Sequence, residues 1–367
     1  MGPADEVALV ERLISFDTSN HDGVHSAFAF LKGWMEARGL AHKQYELNGL
    51  PSLVAAVGDG PRTIVWNAHV DVVPGKLEQF SPWREDGRIY GRGAYDMKGG
   101  LAGMLAALSD LASARASIPG LKVKLLIVPD EESEEAPPQG KASAHLADEG
   151  HVGEFVICGE PTNLEIGVQS KGVLVLRIEV TGRAAHGSTP WEGENAILKA
   201  MEIYRRIGEL PFAAGRSELF DRPSINIGRI SGGDVVNKVP DQCRIDVDIR
   251  YLPGQDPDEI LRQVRALGAD CVTPLYELDP AALDPGEPHV RVLGDALRDL
   301  GYGAGDTVGR DGASDAVFFL RRGIPSIEFG PAGAGHHGPE EYVEVESLAR
   351  YRRTLVAFAQ RLALAPA

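Results

Sequence analysis

Three short apolar runs in this chain each lead into an acidic residue or a histidine, and that repetition limits the fold more than any other feature. Thr63 to Ala68 runs into His69, Lys122 to Val128 into Asp130-Glu131-Glu132, and Phe155 to Cys158 into Glu160. Runs of this length, rich in β-branched residues, read as buried strands. Helical patterns lie around them. Asp5 to Ser15 carries Val7, Val10, Leu13 and Ile14 on one side. A second pattern runs near His25 to Arg38 and stops at Gly39, and a small-residue-rich one covers Gly99 to Ala112, just after Asp96. Strands alternating with helices predict an α/β domain with a mostly parallel sheet. Open sheets of that kind place their sites beyond the carboxyl ends of the strands, which is where these acids and this histidine fall.

The middle of the chain has a different period. Gly172 to Val180 alternates, with Leu174, Leu176, Ile178 and Val180 on one face and Arg177 and Glu179 on the other. Strands follow at Ser224 to Ile230, Gln242 to Tyr251 and Cys271 to Leu278, and helices at Glu194 to Ile207 and Pro257 to Leu267. The order βαββαβ predicts a ferredoxin-like α+β module with a half-exposed antiparallel sheet. After Pro285 the α/β pattern returns: helices near Val290 to Leu300 and Asp315 to Arg321, a strand near Pro325 to Phe329, and a terminal helix from Val345 to Leu364. The expected organisation is a discontinuous catalytic domain, 1–171 and 285–367, interrupted by an inserted domain at 172–284.

Composition excludes some partners. Lys plus Arg number 37 against 53 Asp plus Glu, a net charge of -16. Nucleic acid is therefore not an expected partner, because phosphate binding needs a concentrated basic surface. The three cysteines, Cys158, Cys243 and Cys271, are too few and too scattered for a disulfide framework or a thiolate zinc site. No basic segment followed by an apolar core opens the chain, Glu6 breaks the myristoylation pattern after Gly2, and no apolar run is membrane-length. A cytoplasmic enzyme with no membrane partner is the expectation.

The reactive residues form an ordered set. His69 and Asp71 lie in His69-Val70-Asp71, Asp96 in Gly91-Arg92-Gly93-Ala94-Tyr95-Asp96, Glu131 and Glu132 side by side, Glu160 in Gly159-Glu160-Pro161, and His336-His337 near the end. Any one of them alone reads as structural or as a solvated acid. Together they match what two metal ions and a general base require: imidazole nitrogen and carboxylate oxygen as ligands, and a carboxylate to take a proton from water. Consecutive side chains in extended backbone point in different directions, so one of Glu131 and Glu132 can bind metal while the other faces water. Asp71, two residues beyond His69, suits a partner that fixes the imidazole tautomer.

These motifs resemble the di-zinc aminoacylase and carboxypeptidase family, which includes acetylornithine deacetylase, succinyl-diaminopimelate desuccinylase and glutamate carboxypeptidase. The resemblance covers essentially the whole chain. It implies a di-zinc exopeptidase-like catalytic domain with an inserted lid and dimerisation domain. It implies that His69 binds one zinc, Asp96 bridges both, Glu132 and the C-terminal histidine bind the second, and Glu160 binds the first. Cobalt or manganese could replace zinc. It makes Glu131 the general base and Asp71 the residue that orients His69, with a cis peptide after Asp96. The spacing ahead of Glu341-Tyr342 favours His337 over His336. Within the inserted domain, Gly182 to Ser188 resembles the lid motif whose histidine, here His186, reaches the partner subunit's site. Asn237 matches a second group near the oxyanion. Arg250 matches an arginine that holds the substrate carboxylate. Its strand supports this, because Arg244, Asp246, Asp248 and Arg250 share the polar face opposite Ile245, Val247 and Ile249. Ser314 in Gly312-Ala313-Ser314-Asp315 resembles a substrate-contact loop and is also a good helix cap. Lys171 reads as a solvated lysine. The stretch Ser133 to Pro138 is more acidic and proline-rich than its family counterpart.

The reading is a homodimeric two-zinc amidohydrolase of amino-acid metabolism that removes the acyl group from an N-acylated amino acid. The alternative is a metallo-exopeptidase, carboxypeptidase or dipeptidase, working on short peptides with the same metals. A metal-dependent binding protein on a hydrolase fold is disfavoured, because every ligand position and the base are filled.

Overall fold

The computed structural model describes residues 4–113, 117–132 and 141–364. The Ser133 to Pro138 stretch lies outside the described residues, as does Gly2. The three apolar runs form strands Arg62–His69, Leu121–Val128 and Phe155–Cys158. They are parallel neighbours with Arg62–His69 in the middle, and Ser326–Glu328 adds a fourth parallel strand beside Phe155–Cys158. Register pairs His69 with Val128 and Asn67 with Cys158. The carboxyl ends of all three strands therefore open at one edge, about 4.8 Å apart from strand to strand.

The sheet departs from the expected parallel pattern at its flanks. Leu50–Val57 runs antiparallel to Leu121–Val128, and His42–Leu47 folds back along it. The hairpin turn is Asn48-Gly49, both with positive φ (53° and 80°), the pairing that two-residue hairpins favour. A small separate sheet joins Trp83–Glu85, Arg88–Tyr90, Tyr342–Glu344 and Gly333–Ala334, its first hairpin again turning on an Asx-Gly pair, Asp86-Gly87. The second helix begins at His21 rather than near His25, because the Asn20 side chain accepts the Gly23 amide and caps it there.

The chain divides into two compact units. The first comprises 1–168, 283–308 and 314–367, and the second Gln169–Ala282 together with Gly309–Ala313. The second unit thus starts and ends a few residues before the expected 172–284 and recruits a short return segment. The reason is local: the Lys171 amide donates to the Arg310 carbonyl, and the Lys171 ammonium pairs with Asp311 at 2.8 Å. Lys171 is buried rather than solvated.

Within the second unit, four antiparallel strands stand in the order Ser224–Gly232, Gln242–Tyr251, Gly172–Thr181, Cys271–Leu278. Leu174, Leu176, Ile178, Ile245, Val247 and Ile249 pack one face with the apolar sides of helices Ala196–Ile207 and Pro257–Arg265. Each such side chain contributes roughly 1.5–3 kcal/mol by leaving water. The other face is polar, with Arg177 gripping Asp246 at 2.8 and 2.9 Å. Among the described residues, no helix is long and apolar enough to cross a membrane.

In the first unit a charged network staples the strand starts at the end of the sheet opposite the reactive residues. Arg62 donates to Glu154 at 2.8 and 3.1 Å and to the Leu362 carbonyl at 2.8 Å. His289 lies 3.5 Å from the same Glu154, bonds Glu287 at 2.7 Å and stacks on Phe155. Burial works against the His289 cation, but Glu287 and Glu154 outweigh it and raise its pKa in the folded chain. The protonated imidazole is thus the stabilising form. Its contribution is complete below the unfolded pKa of about 6.5 and fades as pH rises through the higher folded value. Melting curves of wild type and His289→Gln should therefore differ most in mildly acidic buffer and converge in alkaline buffer. A gap independent of pH would refute the ion pair.

Candidate metal centre

Each reactive side chain reaches the centre from a different piece of chain. His69 ends the central strand, Glu131 and Glu132 follow Leu121–Val128, and Glu160 follows Phe155–Cys158. Asp96 lies on a tight irregular turn, Ala94–Lys98, just ahead of helix Gly99–Ala112, with the peptide to Met97 in the cis form. His336 and His337 come from the segment before Tyr342–Glu344.

Asp96 occupies the middle. Its Oδ1 is 3.2 Å from His69 Nε2, and Glu160 Oε1 is 3.7 Å from the same nitrogen. Its Oδ2 is 2.6 Å from His336 Nε2 and 3.3 Å from His337 Nε2. His337 also bonds Glu132 Oε1 at 2.8 Å, so it contacts two of the expected ligands. The two oxygens of one carboxylate are thus divided between two imidazole-carboxylate groups. Candidate ligand atoms of His69, Asp96 and Glu132 lie within 4.8 Å of one another, as do those of Asp96, His336 and His337. Oxygen and imidazole donors at this spacing fit divalent ions of the zinc type.

Burial and the crowding of like charges shift the acids of this site in opposite directions. Burial pushes the Glu160 carboxyl well above its usual range, with Asp96, Glu328 and Asp315 adding to the effect against His69. Burial likewise raises Glu131, opposed by His69 but reinforced by Glu132, Glu160 and Asp315. Burial also acts on Asp96, yet the three imidazoles hold its carboxyl well below the usual range. The imidazoles respond in kind. Burial disfavours the His337 cation, but Asp96 and Glu132 push its pKa up to about 10. A divalent cation would relieve the carboxylates and displace these protons.

Surrounding groups fix the ligands. His69 Nδ1 is 3.0 Å from the backbone oxygen of Asp71 and 3.5 Å from its carboxylate. The other Asp71 oxygen accepts the Glu132 amide at 2.7 Å. Asp71 therefore touches both sides of the centre, more than the sequence implied. Several partners escaped the sequence reading. Glu341, used there only as a spacing mark, is fully buried and accepts the Gly93, Tyr95 and Asp96 amides and the Arg92 guanidinium. Asp315 accepts Asn67 Nδ2 at 2.9 Å and Ser143 Oγ at 2.6 Å, linking the His69 strand to helix Lys141–Asp148. That helix was itself missed. Asp130 accepts the Ala142 amide, and burial with Asp315 and Asp71 nearby pushes its pKa up to about 7.

Ser314 is buried, donates to Glu328 Oε1 at 2.7 Å and accepts the Ala316 amide. Its hydroxyl is engaged within the protein. In the second unit, His186 and Asn237 are exposed and lie side by side. The Gly187 amide donates to the Asn237 carbonyl at 2.7 Å, and His186 pairs with Lys238 as an antiparallel bridge. A side chain at 187 would meet that carbonyl at about 3.0 Å, so glycine is needed there. His186 Nδ1 accepts the Ser188 amide at 3.1 Å, which leaves the proton of a neutral ring on Nε2. Arg250 forms a fork with Asp248 at 2.9 and 3.0 Å, so its guanidinium already has a carboxylate partner.

Comparison with known proteins matches residues 65–361 to the profile described as peptidase family M20/M25/M40. The chain is 28% identical to an acetylornithine deacetylase from Proteus mirabilis, over 91% of this chain and 89% of that one. It is 30% identical to a succinyl-diaminopimelate desuccinylase from Gluconacetobacter diazotrophicus, over 85% and 84%. Its fold is similar to that of a tripeptidase from Staphylococcus aureus, with a TM-score of 0.80, 23% identity and 99% of both chains covered.

Because the Asp71 carboxylate accepts the Glu132 amide and places its other oxygen 3.5 Å from His69 Nδ1, Asp71→Ala, which keeps the backbone bond to His69, should weaken metal retention about 10–100-fold. Dialysis of the variant against a graded chelator would measure this. Retention equal to wild type would show that the contacts do not act on the metal.

Proposed function

The chain belongs to peptidase family M20/M25/M40, and we propose that it is a two-zinc amidohydrolase that removes the acyl group from an N-acylated amino acid. Membership makes it a hydrolase of amide bonds that uses a divalent metal. One observation carries the two-ion reading: the Asp96 oxygens divide between His69 with Glu160 and His337 with Glu132. His337 is preferred to His336 because it alone of the two bonds Glu132 among the described residues. Cobalt or manganese would suit the same donors. The relatives' names, a deacetylase and a desuccinylase at 28% and 30% identity, support the deacylase reading.

When bound, the ions polarise the amide carbonyl and acidify water. The residues of the chain do the rest. Glu131, next to a ligand but not needed as one, takes the proton of the attacking water and hands it to the leaving amine. Asp71 keeps His69 in one tautomer. The partner subunit's His186 donates its Nε2 proton to the developing oxyanion, with the partner subunit's Asn237 beside it. Arg250 exchanges Asp248 for the substrate carboxylate, and the buried Ser314, held by Glu328, shapes the loop that would meet substrate. Homodimerisation through the second unit is supported by its edge strand Ser224–Gly232, which is exposed along most of its length and carries the half-exposed Ile230. The three free cysteines are in keeping with a cytoplasmic location. The fold shared with a tripeptidase keeps an exopeptidase as the second reading.

A panel of N-acetyl, N-formyl and N-succinyl amino acids and of dipeptides, assayed with metal-free and zinc-restored protein, tests the assignment. Metal-dependent release of amino acid from one acyl class is expected. Cleavage of peptides alone would establish the exopeptidase instead, and silence with two ions bound would reject both. Glu131→Ala should lower kcat roughly 10²–10⁴-fold with metal retained; near-normal turnover would remove Glu131 as the base. If His186 works in trans, mixing His186→Ala and Glu131→Ala chains should restore one working site per mixed dimer. No recovery would place its action in cis.

A further inference from the structure

We propose that Glu341 and Arg92 form a positioning clamp that sets the affinity of the second metal, the one held by Glu132 and His337, selectively over the first. This inference rests on the two-metal reading above. The Glu341 carboxylate is 1% exposed and accepts four hydrogen bonds. Its Oε1 takes the Tyr95 and Asp96 amides at 3.0 and 3.1 Å. Its Oε2 takes the Gly93 amide at 3.0 Å and Arg92 Nη1 at 2.7 Å. The whole turn that presents Asp96 is thus gathered on one buried carboxylate. Arg92 completes the clamp from the other side: its Nη2 donates to the His337 carbonyl at 3.0 Å. A further bond, from the Gly91 amide to the Glu341 carbonyl at 3.0 Å, joins the same two segments.

The consequence follows from which ligands the clamp touches. Asp96 and His337 are more than two hundred residues apart in the chain, and in the structure Arg92 and Glu341 tie their backbones together. The first ion shares the bridging Asp96, but its other two ligands, His69 and Glu160, are set at the ends of sheet strands, with His69 also fixed through Asp71. Neither is bonded to Glu341 or Arg92 among the described residues. The second ion depends on the clamp twice, through the bridging carboxylate and through His337. Glutamine in place of Glu341 keeps the volume but turns one acceptor oxygen into an amide NH2 group, a donor only. That NH2 faces amide and guanidinium donors, so part of the clamp is lost.

The test is metal binding, not turnover. Metal-stripped wild type and Glu341→Gln would be titrated with zinc, and bound ions counted after equilibrium dialysis. Wild type should take up two ions. The variant should bind the first within about threefold of wild type and the second about 10–100-fold more weakly. Arg92→Lys keeps the charge but cannot span Glu341 and the His337 carbonyl as a fork does. It should weaken the second ion alone, by about tenfold, and it serves if the glutamine variant does not fold. A merely structural role would lower both affinities together, and that result overturns the clamp. So does an unchanged second affinity while wild type binds two ions. A wild type that takes up no second ion would reject the two-metal reading and the clamp with it.

Discussion

The centre depends on carboxylate charge gathered where water is scarce. Asp96, Glu160 and the neighbouring Asp71 are almost wholly buried, with Glu131 and Glu132 beside them and Asp130 and Asp315 behind. Two like charges about 4 Å apart repel by about 4 kcal/mol at an effective dielectric of 20. No folded chain tolerates several such pairs without compensation. Part of the compensation is visible in the protein: imidazoles against Asp96, amides and Arg92 against Glu341, the Glu132 amide against Asp71. Burial and the neighbouring acids hold the Glu131 and Glu160 carboxyls above their usual range, and a divalent metal would supply the remaining compensation.

The parallel strands explain why so many acids can be brought together. Each strand delivers a side chain at its carboxyl end with its backbone bonds already satisfied by its neighbours. His69 and Val128 are cross-strand partners, so the Glu131-Glu132 segment emerges beside the imidazole by register alone. Asp96 and His337, by contrast, come from irregular backbone. Their placement needs side-chain bonds, and Glu341 and Arg92 supply them.

How much was legible in the sequence follows the same division. Residues at strand ends could be read because an apolar run ending in an acid is a local pattern. The ferredoxin-like module could be read because its strands alternate cleanly and its helices have one apolar face. The flanking hairpins carry a local signal too, Asn48-Gly49 and Asp86-Gly87, but three of their four strands are short or largely polar. Glu341 and Asp315 are different in kind. Each gains its role by accepting bonds from residues far away in sequence, and a lone acidic letter shows none of that. The second unit differs from the expected 172–284 by a few residues for the same reason, since only tertiary contact reveals that Asp311 pairs with Lys171.

In the proposed reading, Arg250 keeps recognition apart from chemistry. Its guanidinium lies on the polar face of a strand whose other face is core, so the strand cannot shift register without exposing Ile245, Val247 and Ile249. The arginine is therefore rigidly presented, yet its fork is filled by Asp248. An incoming carboxylate gains only the difference between two similar ion pairs, and at a third exposed each is worth little. Such an arginine orients a substrate more than it tightens binding. In that reading, affinity and choice of substrate come from contacts made by the rest of the substrate, away from the strand-end chemistry.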